Sequence, residues 1–375
     1  MNKWFLTVLV LPALLLAACQ GGRTTDQTIT PNESALNVSA ELCGDRALLA
    51  PQLNLFSWSD YLSDDVAATF ESLCGVRVRV DTFSNNEEMI AKIQAGNSGY
   101  DLVVPTDYAV DLMIQRGLLA ELNQANLPNL RHLDPDLASL YYDPDNRWSV
   151  PYQWGTTGIA YNADYFETPP DSWGWLLDPA LVCQHRGFVS MLDDEREVIG
   201  AALKYLGYSL NDTDPAHHAE AQALLIAQKA CLAGYDSDNY NQQLAAGEIV
   251  IAQAYSGGGA LARDENDRIF FAYPKEGGTI WQDNLAIPKD APNKYTAEIF
   301  INYLLDPEVS AVNTSYTWFF TPVLPAQPLL DADYLALLEE GGFLMTEEQE
   351  ARMEWLMRSD ATRIFTDTWT RIRAR

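Results

Sequence analysis

The chain has 375 residues, 47% of them hydrophobic and 11% aromatic, enough to bury cores for two domains of ordinary size. Against 24 Lys and Arg stand 52 Asp and Glu, a formal charge of −28. Such a surface repels nucleic acid and anionic lipid headgroups, and it attracts cationic solutes.

At the start, Lys3 precedes an apolar stretch over residues 4–16, too short and too interrupted by Pro12 to span a bilayer comfortably. Leu16-Ala17-Ala18-Cys19 resembles a bacterial lipobox, so residues 1–18 are expected to be a lipoprotein signal peptide and Cys19 the lipidated residue. The alternative is an ordinary secretory signal with a chance cysteine. Residues 19–41 are rich in Thr, Ser, Asn, Gln and Gly and read as a flexible tether, with the folded part beginning near Leu42. With Cys19 lipidated, Cys43, Cys74, Cys183 and Cys231 remain, an even number in an exported chain, which suggests two disulfides. Of the three connectivities, Cys43–Cys74 and Cys183–Cys231 are favoured, because each pair brackets one strand–helix neighbourhood. The four histidines, His132, His185, His217 and His218, show no metal spacing, and no metal or cofactor is expected.

Apolar spacing predicts a strand at 53–56, a helix at 63–74 with Val66, Phe70 and Leu73 on one face, and a strand at 76–80. A helix at 86–96, a buried strand at 100–105 and a helix at 109–117 follow. Residues 122–146 read as loop, and residues 149–162 as a strand that could cross to another domain. A second set comprises a strand at 188–192, helices at 196–206 and 216–231, and strands at 249–254 and 281–288. Helices are expected at 294–305, 307–316, 332–340 and 347–373. Strands alternating with helices imply layered α/β domains with largely parallel sheets.

In such sheets ligands sit beyond the carboxyl ends of the strands. There the sequence places Ser57-Trp58-Ser59-Asp60-Tyr61, Thr106-Asp107-Tyr108, the acidic run 193–197, and Tyr255-Ser256-Gly257. The acidic run can be read in two compatible ways. Asp194 and Glu197 have the spacing of a capping box, and acids at a helix N-terminus complement its dipole. They can also face a cleft and bind a cation.

Several stretches carry a family resemblance: FSWSDYL (56–62), NEEMIAKIQAGNSGYDLVVPTDYAVDLM (86–113), VPYQWGTTGIAYN (150–162), LDDEREVIGAALKYLGYS (192–209) and YPKEGGTIWQDNLAIPKDAPNK (273–294). The chain resembles the periplasmic spermidine/putrescine-binding proteins of ABC importers, in order from about Leu53 to the C-terminus. The resemblance implies a type II-like two-domain periplasmic-binding-protein fold with a ligand cleft between the domains. Domain 1 would hold residues 42–155 with about 285–320, and domain 2 residues 156–284 with about 321–375. Trp58, Tyr61, Tyr108 and Trp281 match aromatics that pack on the ligand's methylenes. Asp194, Glu197 and Asp283 match carboxylates for its ammonium groups, and Ser59, Thr106 and Ser237 match hydroxyl contacts. Asp60 stands where putrescine-type members also have Asp. Tyr255 stands where the family usually has Trp, and Gly258 where putrescine-type members have a ligand-binding Asp, so chain-length preference stays open.

The chemistry of the residues agrees. A polyamine is a string of cations separated by methylenes; carboxylates suit the ends, and aromatic faces suit both parts. The expected protein is therefore a monomeric, lipid-anchored, extracytoplasmic binding protein that delivers a polyamine to a membrane permease. It would be neither an enzyme nor a nucleic-acid binder. Alternatives are another organic cation such as a betaine or basic amino acid, ferric ion through Tyr141-Tyr142, or a secreted enzyme acting on a cationic substrate. The run 274–278 reads as a turn and His217-His218 as a solvated helix start.

Overall fold

The computed structural model describes residue 36, residues 38–357 and residues 363–374. The expected signal peptide, Cys19 and most of the tether lie outside the described residues. Leu36 and Val38 already pack on a core, and a 3₁₀ turn follows at Ala40–Cys43. Packing thus begins several residues before Leu42, carried by two apolar side chains in an otherwise polar stretch.

The first half alternates as the apolar spacing predicts: β1 (Gln52–Ser57), α1 (Asp64–Cys74), β2 (Arg77–Thr82), α2 (Asn86–Gln94), β3 (Leu102–Val103) and α3 (Asp107–Gln115). In α1 the first turn carries Asp64 and Asp65, which complement the helix dipole, and Gly75 ends the helix in the left-handed conformation at φ 74°. Phe70 is fully buried, 4.8 Å from the Phe300 ring and 5.0 Å from Tyr303. That burial contributes about 1.5–3 kcal/mol. Leu73, expected on the same face, is only half buried; Cys74 takes the inner position and is joined to Cys43. On β2 the exposed Arg77, Arg79 and Asp81 guard a sheet edge.

A four-residue helix, α4 (Pro135–Ala138), interrupts the expected loop, and β4 (Ser149–Asn162) then runs 14 residues. The second half contains α5 (Gly174–Leu177), α6 (Pro179–Val182), β5 (Val189–Met191), α7 (Glu195–Tyr205), α8 (Pro215–Lys229), β6 (Gly234–Tyr235), α9 (Tyr240–Ala246), β7 (Ile251–Tyr255), α10 (Ser256–Glu265) and β8 (Ile269–Ala272). After these come β9 (Thr279–Ala286), α11 (Lys294–Leu304), α12 (Pro307–Thr317), α13 (Ala332–Gly341), α14 (Glu347–Glu350), β10 (Glu354–Trp355) and α15 (Arg363–Arg373).

The sheet order is β2-β1-β3-β9-β4-β7-β5-β6, with β10 beside β9 and β8 beside β4. At each end the strands are parallel, β1 with β2 and β3, and β5 with β6 and β7. Between them β9 and β4 run antiparallel to each other and to their other partners in that order. The sheet is therefore mixed where a largely parallel one was expected. Two long strands pass directly between the halves instead of returning through a helix. One core gathers Leu53, Phe70, Leu285 and Phe300, a second gathers Phe56, Met89, Val103 and Met113, and a third gathers Ile159, Met191, Val198, Ile251 and Phe271. The first two draw on strands of the β1–β3 end of the sheet and the third on β5 and β7 at the other end. Leu210 and Leu356 seat in the second core.

Cys43–Cys74 and Cys183–Cys231 are both disulfides, each contributing roughly 2–4 kcal/mol. Among the described residues no helix is long and apolar enough to cross a membrane. Two further sequence expectations change, and one helix falls where none was expected. The helix expected over 347–373 breaks, because Glu354 is drawn to Lys204 Nζ at 2.7 Å and Ser209 Oγ at 2.5 Å while β10 pairs with β9. The glycine-rich stretch after β7 is helical, its poor propensity overridden by tight packing. His218 is buried rather than solvated, held through Nε2 to the Asp212 carbonyl at 2.8 Å.

Candidate functional site

A single cleft collects all twelve residues singled out as ligand contacts: Trp58, Ser59, Asp60, Tyr61, Thr106, Tyr108, Asp194, Glu197, Ser237, Tyr255, Trp281 and Asp283. Its space is about 910 Å³ with the solvent-open mouth included. Five carboxylates line it, those of Asp60, Asp194, Glu197, Asp238 and Asp283. No Lys or Arg does so among the described residues.

The floor is one face of β9. Side chains alternate along a strand, so Thr279, Trp281 and Asp283 point the same way. Asp283 is 3% exposed; its Oδ2 accepts from the Tyr61 hydroxyl and its Oδ1 from Thr106 Oγ1, both at 2.6 Å. Burial pushes its pKa up to about 6 against those two hydrogen bonds, which pull it down. The same contact works in reverse on Tyr61, whose phenol is held well above its ordinary range by burial and by the Asp283 charge. Thr106 is fixed in turn by Asn86, whose amide donates to Thr106 Oγ1 at 3.0 Å and to the Tyr108 hydroxyl at 3.1 Å.

Four strand positions away, Thr279 Oγ1 donates to Glu197 Oε2 at 2.8 Å. Cα atoms four positions apart on a strand lie about 13 Å apart, and the Trp281 ring stands between the two anchored acids. Glu197 is 3% exposed; burial first, and the nearby Asp194 charge second, push it up to about 8, against the hydrogen bonds of Thr279 and Thr157 and the charge of Arg196. Asp194 is the N-cap of α7, its Oδ1 accepting from Arg196 N–H at 2.8 Å and Glu197 N–H at 3.1 Å. Both cap bonds fall on Oδ1, so the cap leaves Oδ2 for another partner. Burial raises this carboxyl too. The cap is therefore present, but the Glu197 side chain goes to Thr279 on β9, so the reciprocal half of the expected capping box is not what holds it. Ser237 Oγ accepts from Asp193 N–H at 2.8 Å, which steadies the loop leading into α7.

Aromatic rings form the walls. Trp281 Nε1 donates to Thr157 Oγ1 at 3.2 Å, and its ring meets Tyr255 and Phe319 edge-on at 5.7 and 5.2 Å. A Cβ at Gly155 would lie 2.7 Å from that ring, so only glycine lets the indole rest on β4. Trp58 donates to the Val104 carbonyl at 3.0 Å and packs on Phe83 at 4.5 Å. Ser59 and Asp60 lie at the exposed rim, Asp60 with φ 56°.

Sequence reasoning missed Phe83, Asn86, Asp238, Tyr240, Phe319 and Leu356, which also line the cleft. Asn86 lies inside a matched stretch and was legible in principle; the others reach the cleft only through tertiary packing. Tyr240 accounts for the departure at Gly258: a Cβ there would overlap the Tyr240 hydroxyl. Tyr142 donates to Asn284 Oδ1 at 3.1 Å and accepts from Gln282 Nε2 at 2.7 Å. β9 presents those two residues on the face opposite Asp283.

The sequence pattern of the family described as bacterial extracellular solute-binding protein matches residues 65–335. The chain belongs to this family. A putrescine/cadaverine-binding protein of Pseudomonas aeruginosa is 36% identical over 341 residues, 88% of this chain and 96% of the relative. A spermidine/putrescine-binding periplasmic protein of Escherichia coli is 35% identical over 301 residues, 80% of this chain and 84% of the relative. A solved Listeria monocytogenes chain assigned to a spermidine/putrescine ABC transporter superposes with a TM-score of 0.81 at 32% identity, covering 86% of this chain and 99% of that one. The architecture of this solute-binding protein is thus the two-domain periplasmic-binding-protein fold, with the cleft between its α/β lobes.

Proposed function

We propose that the cleft captures a polyamine, spermidine or putrescine, outside the cytoplasm, and that the protein delivers it to an ABC importer. The observation that carries this reading is the floor of the cleft: a carboxylate anchored at each end of one strand face, with Trp281 between them. Each ammonium–carboxylate contact contributes on the order of 1.5–3 kcal/mol net, and the rings cover the methylenes and add cation–π attraction. The absence of lysine and arginine from the described lining suits a cation. The names of the relatives agree with it. The ligand contacts are the twelve residues named above, and the ligand leaves unchanged, so the protein is a binder and not an enzyme.

Domain 1 would hold residues 42–155 with about 285–320, and domain 2 residues 156–284 with about 321–375. The lobes would close on the ligand about hinges near residues 155–159 and 286–288, where β4 and β9 pass between them. The mature chain would be a monomer anchored through lipid on Cys19. Calorimetry against putrescine, spermidine, spermine, cadaverine, arginine and ferric ion tests the assignment. Saturable binding of a polyamine with recovery of intact ligand is expected. Preference for arginine or iron, or turnover of the polyamine, would contradict it.

A further inference from the structure

β7 loses one strand partner before it ends. β5 pairs with it only at Ile251 and Ala252, whereas β4 stays beside it to its last residue, Tyr255, opposite Thr157. In an antiparallel ladder the N–H and C=O of one residue point to the same side, and those of Tyr255 point away from β4, to a side chain. The Tyr240 hydroxyl of α9 accepts from Tyr255 N–H at 3.1 Å and donates to the Tyr255 carbonyl at 3.3 Å. One phenol, 3% exposed, thus stands in for the missing strand and satisfies two backbone groups that are costly to leave unpaired.

The same hydroxyl needs room. α10 begins directly after Tyr255 with Ser256-Gly257-Gly258-Gly259 and has no side-chain cap. Glycine is a poor helix former. A Cβ at Gly258 would overlap the Tyr240 hydroxyl. The end of β7 and the start of α10 are therefore both packed on this one side chain.

That strand end is a wall of the cleft. Tyr255, Thr157 and Thr279 lie in one row across β7, β4 and β9, and neighbours in a row share a face of the sheet. Thr157 Oγ1 holds the Trp281 indole at 3.2 Å, and Thr279 holds the Glu197 carboxylate at 2.8 Å. Gln253, on the same face of β7 as Tyr255, donates to the Glu197 carbonyl at 2.9 Å. The Tyr255 ring, 5.7 Å from Trp281, belongs to the Glu197 end of the cleft.

We propose that Tyr240 is a positioning residue for capture of the cation. Its hydroxyl fixes the Tyr255 backbone and so holds the Tyr255 ring beside Trp281 and Glu197, and glycine at 258 is the room that hydroxyl requires. This rests on the reading of the cleft as a cation site. The hydroxyl is bonded to backbone on both sides, so its effect reaches the ligand through Tyr255.

The test is a double-mutant cycle of Tyr240→Phe and Tyr255→Ala, read by calorimetry with putrescine, with melting curves to confirm folding. Tyr240→Phe keeps the ring and removes only the hydroxyl; affinity should fall about three- to tenfold. In the Tyr255→Ala background the same change should cost less than about twofold, because the ring that it positions is gone. A hydroxyl that serves stability alone, or that meets the ligand itself, has the same effect in both backgrounds, and that result overturns the proposal. So does a Tyr240→Phe protein that binds as the parent does. Amide hydrogen exchange at Tyr255 in the empty protein gives a readout without ligand. With its acceptor removed in Tyr240→Phe, exchange should be about tenfold faster or more; an unchanged rate overturns the proposal. If Tyr240→Phe does not fold, or Tyr255→Ala binds too weakly to measure, Gly258→Ala decides. Its methyl displaces the hydroxyl, so Tyr255 exchange should quicken and putrescine affinity fall, and a parent-like rate overturns the proposal. If the parent binds no putrescine, the cation reading fails, while the exchange rate still judges the hold of Tyr240 on Tyr255.

Discussion

The two ends of the cleft carry the same chemical group in opposite settings. At one end Asp283 is buried but held by two hydroxyl donors, which keep its pKa near 6. At the other, Glu197 is equally buried, yet the Asp194 charge adds to burial and carries it to about 8. At neutral pH one end is ionised before the ligand arrives. The other holds a proton that an incoming ammonium must displace. Both carboxyls are opposed by two hydroxyl hydrogen bonds, so the like charge of Asp194, more than burial or donors, makes the difference.

The comparison breaks most sharply at the ionised end. Asp283→Asn should lower polyamine affinity about 10- to 100-fold at pH 7, since a charge-assisted contact is lost at an anchored site. An affinity within twofold of the parent would remove Asp283 from the site. Glu197→Gln sharpens the contrast: a loss of about tenfold is expected at pH 8.5 and much less at pH 6.5, where the parent Glu197 is itself protonated. Equal losses at both pH values would mean that its titration is ordinary. Calorimetry of the parent at pH 7 in buffers of different ionisation heat should reveal release of about one proton on binding, and markedly less for Glu197→Gln.

Stability of the empty protein follows with a fixed sign. Both folded-state carboxyl values lie above their ordinary ones, so the folded protein binds more protons than the unfolded chain between roughly pH 4 and 8. These groups therefore make stability fall as pH rises through that window, and Glu197→Gln should flatten the upper part of the fall. Melting curves from pH 5 to 8 check it. The smallest effect is expected from Asp194→Asn. Asn is also a good N-cap, so the melting temperature should hardly move, while affinity falls about three- to tenfold.

Much of this site was legible because strand ends can be read from apolar runs. β1 delivers Trp58 to Tyr61, β3 delivers Thr106 and β5 delivers the acidic turn, whereas Trp281 and Asp283 inside β9 were legible through the family resemblance. Local spacing fixed α1, α2 and α7 to within a few residues. What stayed illegible depends on contacts distant in sequence. The stretch Ser256-Gly257-Gly258-Gly259 has little helix propensity, yet it is helical, and its glycines fit where Phe319 and Tyr240 leave no room for a Cβ at Gly257 and Gly258. The stretch over 347–373 has helical spacing but is interrupted by β10, captured by Lys204 and Ser209. Arg196 looked like one charge in a polar run, and only the packing of α7 on α15 and Asn211 shows it buried.

The central claim is that one strand face grips a polycation at two carboxylate ends. Its most direct test is a calorimetric titration of putrescine and spermidine into the parent and into the double variant Asp283→Asn, Glu197→Gln at pH 7.5, with melting curves to confirm that both are folded. The account predicts saturable one-to-one binding by the parent and no measurable binding by the folded double variant. A double variant that binds either polyamine as the parent does, or a parent that binds neither, would contradict it.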